Sequence, residues 1–118
     1  MERFFFCYAK CSTCRKAKDY LDQRGITYTY REITEETPTV AELTEWVARG
    51  RYPLKSFFNT SGLRYRSLGL KDRLTSLSQE EQIQMLAADG MLIKRPILVD
   101  PEILLVGFKE KEWEELLP

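Results

Sequence analysis

The sequence predicts an α/β fold, a mixed four-stranded sheet with helices on its faces, built in the order βαβ, helical insertion, ββα. Three observations carry this. Residues 3–8 form a near-continuous apolar run, which suits a strand buried on both faces in the middle of a sheet. That run leads into helical spacing and then into a second β-branched and aromatic run, a βαβ unit of parallel strands. Sheet character returns only near the C-terminus, as two short apolar runs around Asp100-Pro101-Glu102, close enough to pair only as an antiparallel hairpin. The 118 residues suffice for one domain with its own core. We therefore expect a single domain over residues 1–118 with the helical insertion at about 38–93.

Each element has its own signal. Cys14, Ala17 and Leu21, with Tyr20 beside them, are at helical spacing between Ser12 and Arg24, and Gly25 supplies the stop. Thr27-Tyr28-Thr29-Tyr30-Arg31 reads as the second strand. Thr39-x-x-Glu42 is a capping box opening a helix with a stripe of Val40, Leu43, Trp46 and Val47, which ends at Gly50. Pro53 starts another helical turn, Asn59 to Gly62 form a loop, and Leu63 to Leu74 read as short helix with turns. Ser78-x-x-Glu81 is a second capping box, whose helix carries Ile83, Leu86 and Ala87 and stops at Asp89-Gly90. Pro96 to Val99 and Ile103 to Val106 are the hairpin strands. The closing helix, Lys109 to Leu117, sets Trp113, Leu116 and Leu117 on one face.

Composition excludes several function classes. Eighteen basic side chains balance eighteen acidic ones, without the positive surplus of a domain that grips nucleic acid directly. Tyr28, Tyr30, Trp46 and Trp113 accordingly read as core or half-core aromatics rather than a stacking platform for bases. No apolar run is long enough to cross a bilayer, and the N-terminus lacks the sections of a signal peptide, so we expect a cytoplasmic protein with no membrane partner. The chain has three cysteines, Cys7, Cys11 and Cys14, and no histidine. That rules out Cys-His and Ser-His-Asp activation, and it leaves too few ligands for a structural zinc.

What remains is thiol chemistry. The first strand delivers Cys11-x-x-Cys14 to a helix N-terminus, where unsatisfied N–H groups and the helix dipole favour a thiolate. Cys11 is the expected nucleophile. Cys14, one turn on, can attack a mixed disulfide formed at Cys11 and release the reduced partner. Without histidine, the activating cations are expected among Lys10, Arg15 and Arg95, while Cys7, inside the strand, reads as packing.

Cys11-Ser12-Thr13-Cys14-Arg15-Lys16-Ala17, Lys94-Arg95-Pro96-Ile97-Leu98-Val99 and Val106-Gly107-Phe108 together resemble the arsenate reductase-related (ArsC/Spx) family, and the resemblance covers essentially the whole chain. It implies a thioredoxin-like fold in which Arg95-Pro96 carries a cis bond and faces the active thiol. It also implies a cysteine-dependent reductase or thiol-disulfide oxidoreductase. Its catalytic residues would be Cys11, Cys14 and Arg95, and its substrate contacts Lys10, Ser12, Thr13, Arg15 and Pro96. No bound cofactor or metal is implied. A small oxyanion or a disulfide would be the substrate, and glutathione, glutaredoxin or thioredoxin the thiol reductant. Two family arginines are replaced, one near Asn59 and one near Lys109, which weakens an oxyanion grip because neither residue offers a bidentate guanidinium. The alternative implied by the resemblance is a redox-sensing transcriptional regulator of the Spx type that binds RNA polymerase.

Overall fold

The computed structural model describes residues 2–118. Its strands are β1 (Phe4–Cys7), β2 (Thr29–Glu32), β3 (Ile97–Val99) and β4 (Leu104–Val106). Its helices are α1 (Ser12–Gln23), α2 (Val40–Ala48), α3 (Leu63–Ser67), α4 (Leu70–Arg73), α5 (Gln79–Ala88) and α6 (Glu110–Leu116). The chain divides into two compact units: residues up to Glu32 together with Arg95–Pro118, and Ile33–Lys94.

The first unit holds the whole sheet, in the order β2-β1-β3-β4. β1 pairs parallel with β2, from Phe4 opposite Thr29 to Cys7 opposite Glu32, and antiparallel with β3. β3 and β4 close the sheet as the expected hairpin. The apolar run of β1 is central for the reason its composition implies: a strand flanked on both sides and covered on its faces has no wet position for a polar side chain. On one face Phe5, Cys7, Leu98 and Leu105 meet Ala17, Tyr20 and Leu21 of α1 and Trp113 and Leu117 at the C-terminal end. Trp113 is fully buried, and its indole N–H donates to the Gly107 carbonyl at 3.0 Å. Burying each large side chain of this cluster contributes about 1.5–3 kcal/mol. α1 ends as its glycine dictates. Gly25 takes φ 65°, its N–H donates to the Asp22 carbonyl, and the Ile26 N–H reaches back to Leu21.

The second unit is helical. Both capping boxes form, with the Thr39 and Ser78 hydroxyls accepting from the Glu42 and Glu81 N–H groups and those glutamates accepting from the cap N–H groups. α2 and α5 pack together, burying Leu43 and Trp46 on one helix and Ile83 and Leu86 on the other. Leu63 to Leu74 breaks into α3 and α4 because Gly69 turns left-handed between them, at φ 64°.

Three positions expected in or against the core lie outside. Tyr30 is 39% exposed because β2 is an edge strand of the sheet. Val40 is 44% exposed, as the first residue of α2, where the stripe has not yet turned inward. Leu116 is 39% exposed in the last turn of α6. Its neighbour Leu117, just past the helix, is the one buried in the core.

Candidate active site

The site begins where β1 ends. Tyr8, Ala9 and Lys10 carry the chain over to α1, and the Cys11 N–H donates to the Tyr8 carbonyl at 2.9 Å. The Cys11 carbonyl then accepts from Arg15 N–H at 3.1 Å, which starts the helix with Cys11 as its N-cap. The crossover is pinned from the sheet edge. Glu32, at the end of β2, accepts from the Ala9 N–H at 3.1 Å and from the Tyr30 hydroxyl at 2.6 Å through the same carboxylate oxygen.

The three thiols are held differently. Cys11 is half-buried, and its side chain makes no capping hydrogen bond. Cys14 is buried at 3% exposure, with its sulfur accepting from the Tyr8 N–H at 3.4 Å. Cys7 is buried at 2% exposure and lines one cavity together with Cys14. These surroundings decide which thiol ionises. The neighbouring Cys7 thiol is the largest influence on Cys14. Burial opposes it, but the Tyr8 N–H, the Cys11 thiol and the positive charge of Arg95 add to it, and the Cys14 thiol is pulled down to about 7. Cys7 moves the other way: burial pushes it far up, and the adjacent Cys14 reinforces the shift, so Cys7 stays protonated. A cavity of about 320 Å³ opens beside this pair, with Phe5 and Tyr30 in its largely apolar wall and Arg15 and Lys18 among its lining residues.

Arg95 lies with its guanidinium carbon 5.3 Å from the centroid of the Tyr8 ring, and the bond to Pro96 is cis, as the resemblance implies. The thiols of Cys11 and Cys14 and the charge of Arg95 thus act on one another. Lys10, Ser12, Thr13 and Arg15 are exposed along the loop and the first turn of α1, and none of them is among the groups that shift the Cys14 thiol. Pro96 is buried, and its carbonyl accepts from the Gly107 N–H at 2.8 Å. Among the described residues no cluster of three or more His, Cys, Asp or Glu side chains is arranged to hold a metal.

A match to the ArsC family covers residues 6–116 and so spans both thiols of the pair and the Arg95-Pro96 wall. The chain belongs to the ArsC family. A solved ArsC family related protein from Bacteroides fragilis is 47% identical, with a TM-score of 0.93 over 99% of this chain and 98% of that one. The arsenate reductase of Vibrio cholerae is 25% identical, with a TM-score of 0.85 over 99% and 98% of the two chains. The global transcriptional regulator Spx 2 of Bacillus anthracis is 28% identical over 93% of this chain and 82% of its own length. Within this ArsC chain, Asn59 is part of the helical unit, and Lys109 is exposed at the N-cap of α6.

Sequence reasoning gave no role to Tyr8 or Glu32. Its reading of Cys7 as packing agrees with the structure, where strand alternation puts Cys7 on the Phe5 face that α1 covers. Tyr8 acts through its backbone N–H and C=O, which leave no mark on residue type. Glu32 works across a gap of 23 residues that only strand register closes.

Proposed function

We propose that this protein is a cysteine-dependent thiol-disulfide oxidoreductase in which Cys11 is the nucleophile and Cys14 the resolving thiol. The observation that carries the reading is the pair itself: an accessible Cys11 at the N-cap of α1, one turn before a buried Cys14 whose surroundings favour the thiolate. Once Cys11 is a thiolate it attacks a substrate disulfide. A bond forms between the Cys11 sulfur and one substrate sulfur, and the other leaves as a thiolate. Cys14 then attacks the Cys11 sulfur, closing an internal disulfide and releasing the second half of the substrate reduced. Two electrons have passed to the substrate, and an external thiol such as glutathione, glutaredoxin or thioredoxin restores the pair. Arg95 favours the anionic form of Cys14, and Lys10, Ser12, Thr13, Arg15 and Pro96 border the face that substrate approaches.

A disulfide suits this site better than an oxyanion. Of the arginines that the family resemblance implies, Arg15 and Arg95 are present, but Asn59 and Lys109 stand in the other places. An amide and an ammonium do not replace two bidentate forks. The similarity to Spx 2 favours a second reading, in which the same pair senses oxidation and changes the grip on RNA polymerase.

The test is turnover of wild type, Cys11→Ser and Cys14→Ser with a model disulfide and with arsenate, each with an added thiol. Wild type is expected to turn over the disulfide. Cys11→Ser should lose activity by at least about a hundredfold, since no other thiol is accessible. Cys14→Ser should trap the mixed disulfide, visible by mass. Full activity of Cys11→Ser would discard the proposal, and arsenate turnover alone would reassign the substrate. Redox-dependent capture of RNA polymerase without any turnover would favour the regulator.

A further inference from the structure

We propose that the cavity beside Cys14 is a binding site for a small aromatic carboxylate, and that a disulfide carrying such a group is the preferred substrate of the Cys11–Cys14 pair. The binding stands by itself, and the substrate preference rests on the exchange reading.

Every residue that lines the cavity belongs to the sheet unit. Its volume of about 320 Å³ is at the small end of the range for ligand sites, about 300–1,000 Å³. Much of the wall is aromatic. Phe5 of β1 and Tyr30 of β2 are opposite each other in the parallel register, and their rings meet edge to face, with centroids 6.3 Å apart and planes at 62°. A third ring packs against such a pair in the tilted or offset arrangements that aromatic quadrupoles favour. Cys7 and Cys14 add small, polarisable side chains to the same wall.

The charged part of the lining is positive. Arg15 and Lys18 border the cavity, and no carboxylate does. Lys18 is already engaged, with its Nζ 2.7 Å from Asp22. Arg15 is exposed and, among the described residues, pairs with no carboxylate. A guanidinium holds a carboxylate through two parallel N–H bonds. Glu32 stands outside the lining, and its carboxylate is occupied by the Ala9 N–H and the Tyr30 hydroxyl. Those two bonds also fix Ala9 and Tyr30, two sides of the cavity, before any ligand arrives. The wall thus selects a flat apolar body with one anionic edge. A neutral aromatic leaves Arg15 unpaired, and an anion without a ring leaves the aromatic wall wet.

The position beside the thiols gives this selection a chemical use. Cys11 does not line the cavity, but it precedes Cys14 by one helical turn, where side chains are about 5–6 Å apart at their β-carbons. A ring one bond from a disulfide sulfur spans that separation. The half seated in the cavity is then the leaving group: Cys11 bonds to the other substrate sulfur, the S–S bond breaks, and the seated half departs as the aryl thiolate. Its exit clears Cys14 to attack the Cys11 sulfur and release the second half as a thiolate. The two electrons come from the external thiol that restores the pair.

The experiment titrates three probes into the reduced protein and follows backbone amide signals by nuclear magnetic resonance. Naphthoate carries ring and charge, naphthamide the ring alone, and acetate the charge alone. Naphthoate should move the Ala9, Arg15, Lys18 and Tyr30 signals along one saturable curve, naphthamide should bind about tenfold more weakly, and acetate should not saturate. Arg15→Gln should erase the difference between naphthoate and naphthamide, and Ala9→Leu, which narrows the cavity, should weaken both. Absence of saturable binding, equal affinities for the two ring probes in wild type, a difference that survives Arg15→Gln, or saturable shifts that spare those four residues would each overturn the site.

Turnover tests the preference separately. The probes are the disulfide of para-mercaptobenzoate and its diamide, with glutathione as the external thiol and rates divided by those without protein. Here kcat/KM should favour the carboxylate by about tenfold, and naphthoate should raise its KM while leaving kcat unchanged. Equal kcat/KM values, or inhibition by naphthoate through kcat alone, would overturn the preference. If neither disulfide is turned over, the exchange reading fails, while the amide titration still decides whether the cavity binds the carboxylate.

Discussion

At the scale of single residues, two neighbouring buried thiols are pushed in opposite directions. The Cys14 thiol is lowered, with the Tyr8 N–H and the charge of Arg95 among the causes, and the Cys7 thiol is raised by burial. The positive charge of Arg95 favours the Cys14 thiolate. Arg95→Met is expected to raise the Cys14 midpoint, read from the ultraviolet absorbance of the thiolate against pH, and an unmoved midpoint would show that this charge does not reach the thiol. The lowered thiol also makes folding depend on pH. An unfolded cysteine ionises near about 8.5, so between the folded value of about 7 and that point the unfolded chain binds more protons than the folded one. Stability from Cys14 is therefore fully present above about pH 8.5 and is lost as pH falls through 7. Urea unfolding of wild type and Cys14→Ser across this window checks it. The wild-type advantage should shrink toward the acid side, and a constant gap would contradict the assignment of the charge to Cys14.

At the scale of elements, local signals and non-local constraints separate cleanly. The capping boxes at Thr39 and Ser78 were legible in the sequence because each satisfies its own first-turn N–H groups within three residues, with no help from elsewhere. Thr39→Ala should cost about 1 kcal/mol in chemical denaturation and leave the thiol titration unmoved. Gly90 is the opposite case. The sequence marks it as a helix stop, yet a Cβ at Gly90 would run into the backbone carbonyl of Ile33, 57 positions earlier by number, a close approach that no local pattern announces. A backbone atom cannot rotate away as a side-chain tip does. Gly90→Ala is accordingly expected to destabilise the helical unit by about 2 kcal/mol or more, the size of an overpacked core substitution. A melting temperature equal to wild type would show that the Ile33 segment yields freely. The same division explains the exposed Val40 and Leu116. Periodicity assigns a stripe, but only tertiary packing decides which end residues of a short helix the core reaches.

At the scale of the molecule, the sheet unit is assembled from the two ends of the chain, with the helical unit inserted between Glu32 and Arg95. The order of strands and helices was readable because β1, β3 and β4 are dense apolar runs and the stretch leading into β2 alternates β-branched and aromatic residues. The pair Cys11 and Cys14 was readable because the spacing is local. What holds the site was not, since Tyr8 and Glu32 acquire their roles from a backbone group and from strand register. One buried charge illustrates what a discontinuous unit requires. Asp100, at the β3–β4 turn, is 4% exposed and accepts from the Glu102 and Ile103 N–H groups at 2.7 and 2.8 Å and from Arg3 Nε at 2.9 Å. It shapes the turn and ties it to the residue before β1, where Phe4 and Val99 are in register. Burial alone would raise its carboxyl. The Glu102 N–H, the Arg3 guanidinium and the Ile103 N–H more than offset that, and the carboxyl lies below its usual value. Asp100→Ala removes an acceptor shared by two backbone donors and a guanidinium, so it should cost about 2–4 kcal/mol in urea unfolding at neutral pH. Because the folded carboxyl is depressed, its contribution is complete above about pH 3.9 and is lost as pH falls further, through the folded value. The difference between wild type and Asp100→Ala should therefore narrow below about pH 4, whereas a gap that stays constant to lower pH would mean that Asp100 acts through packing and not through its charge.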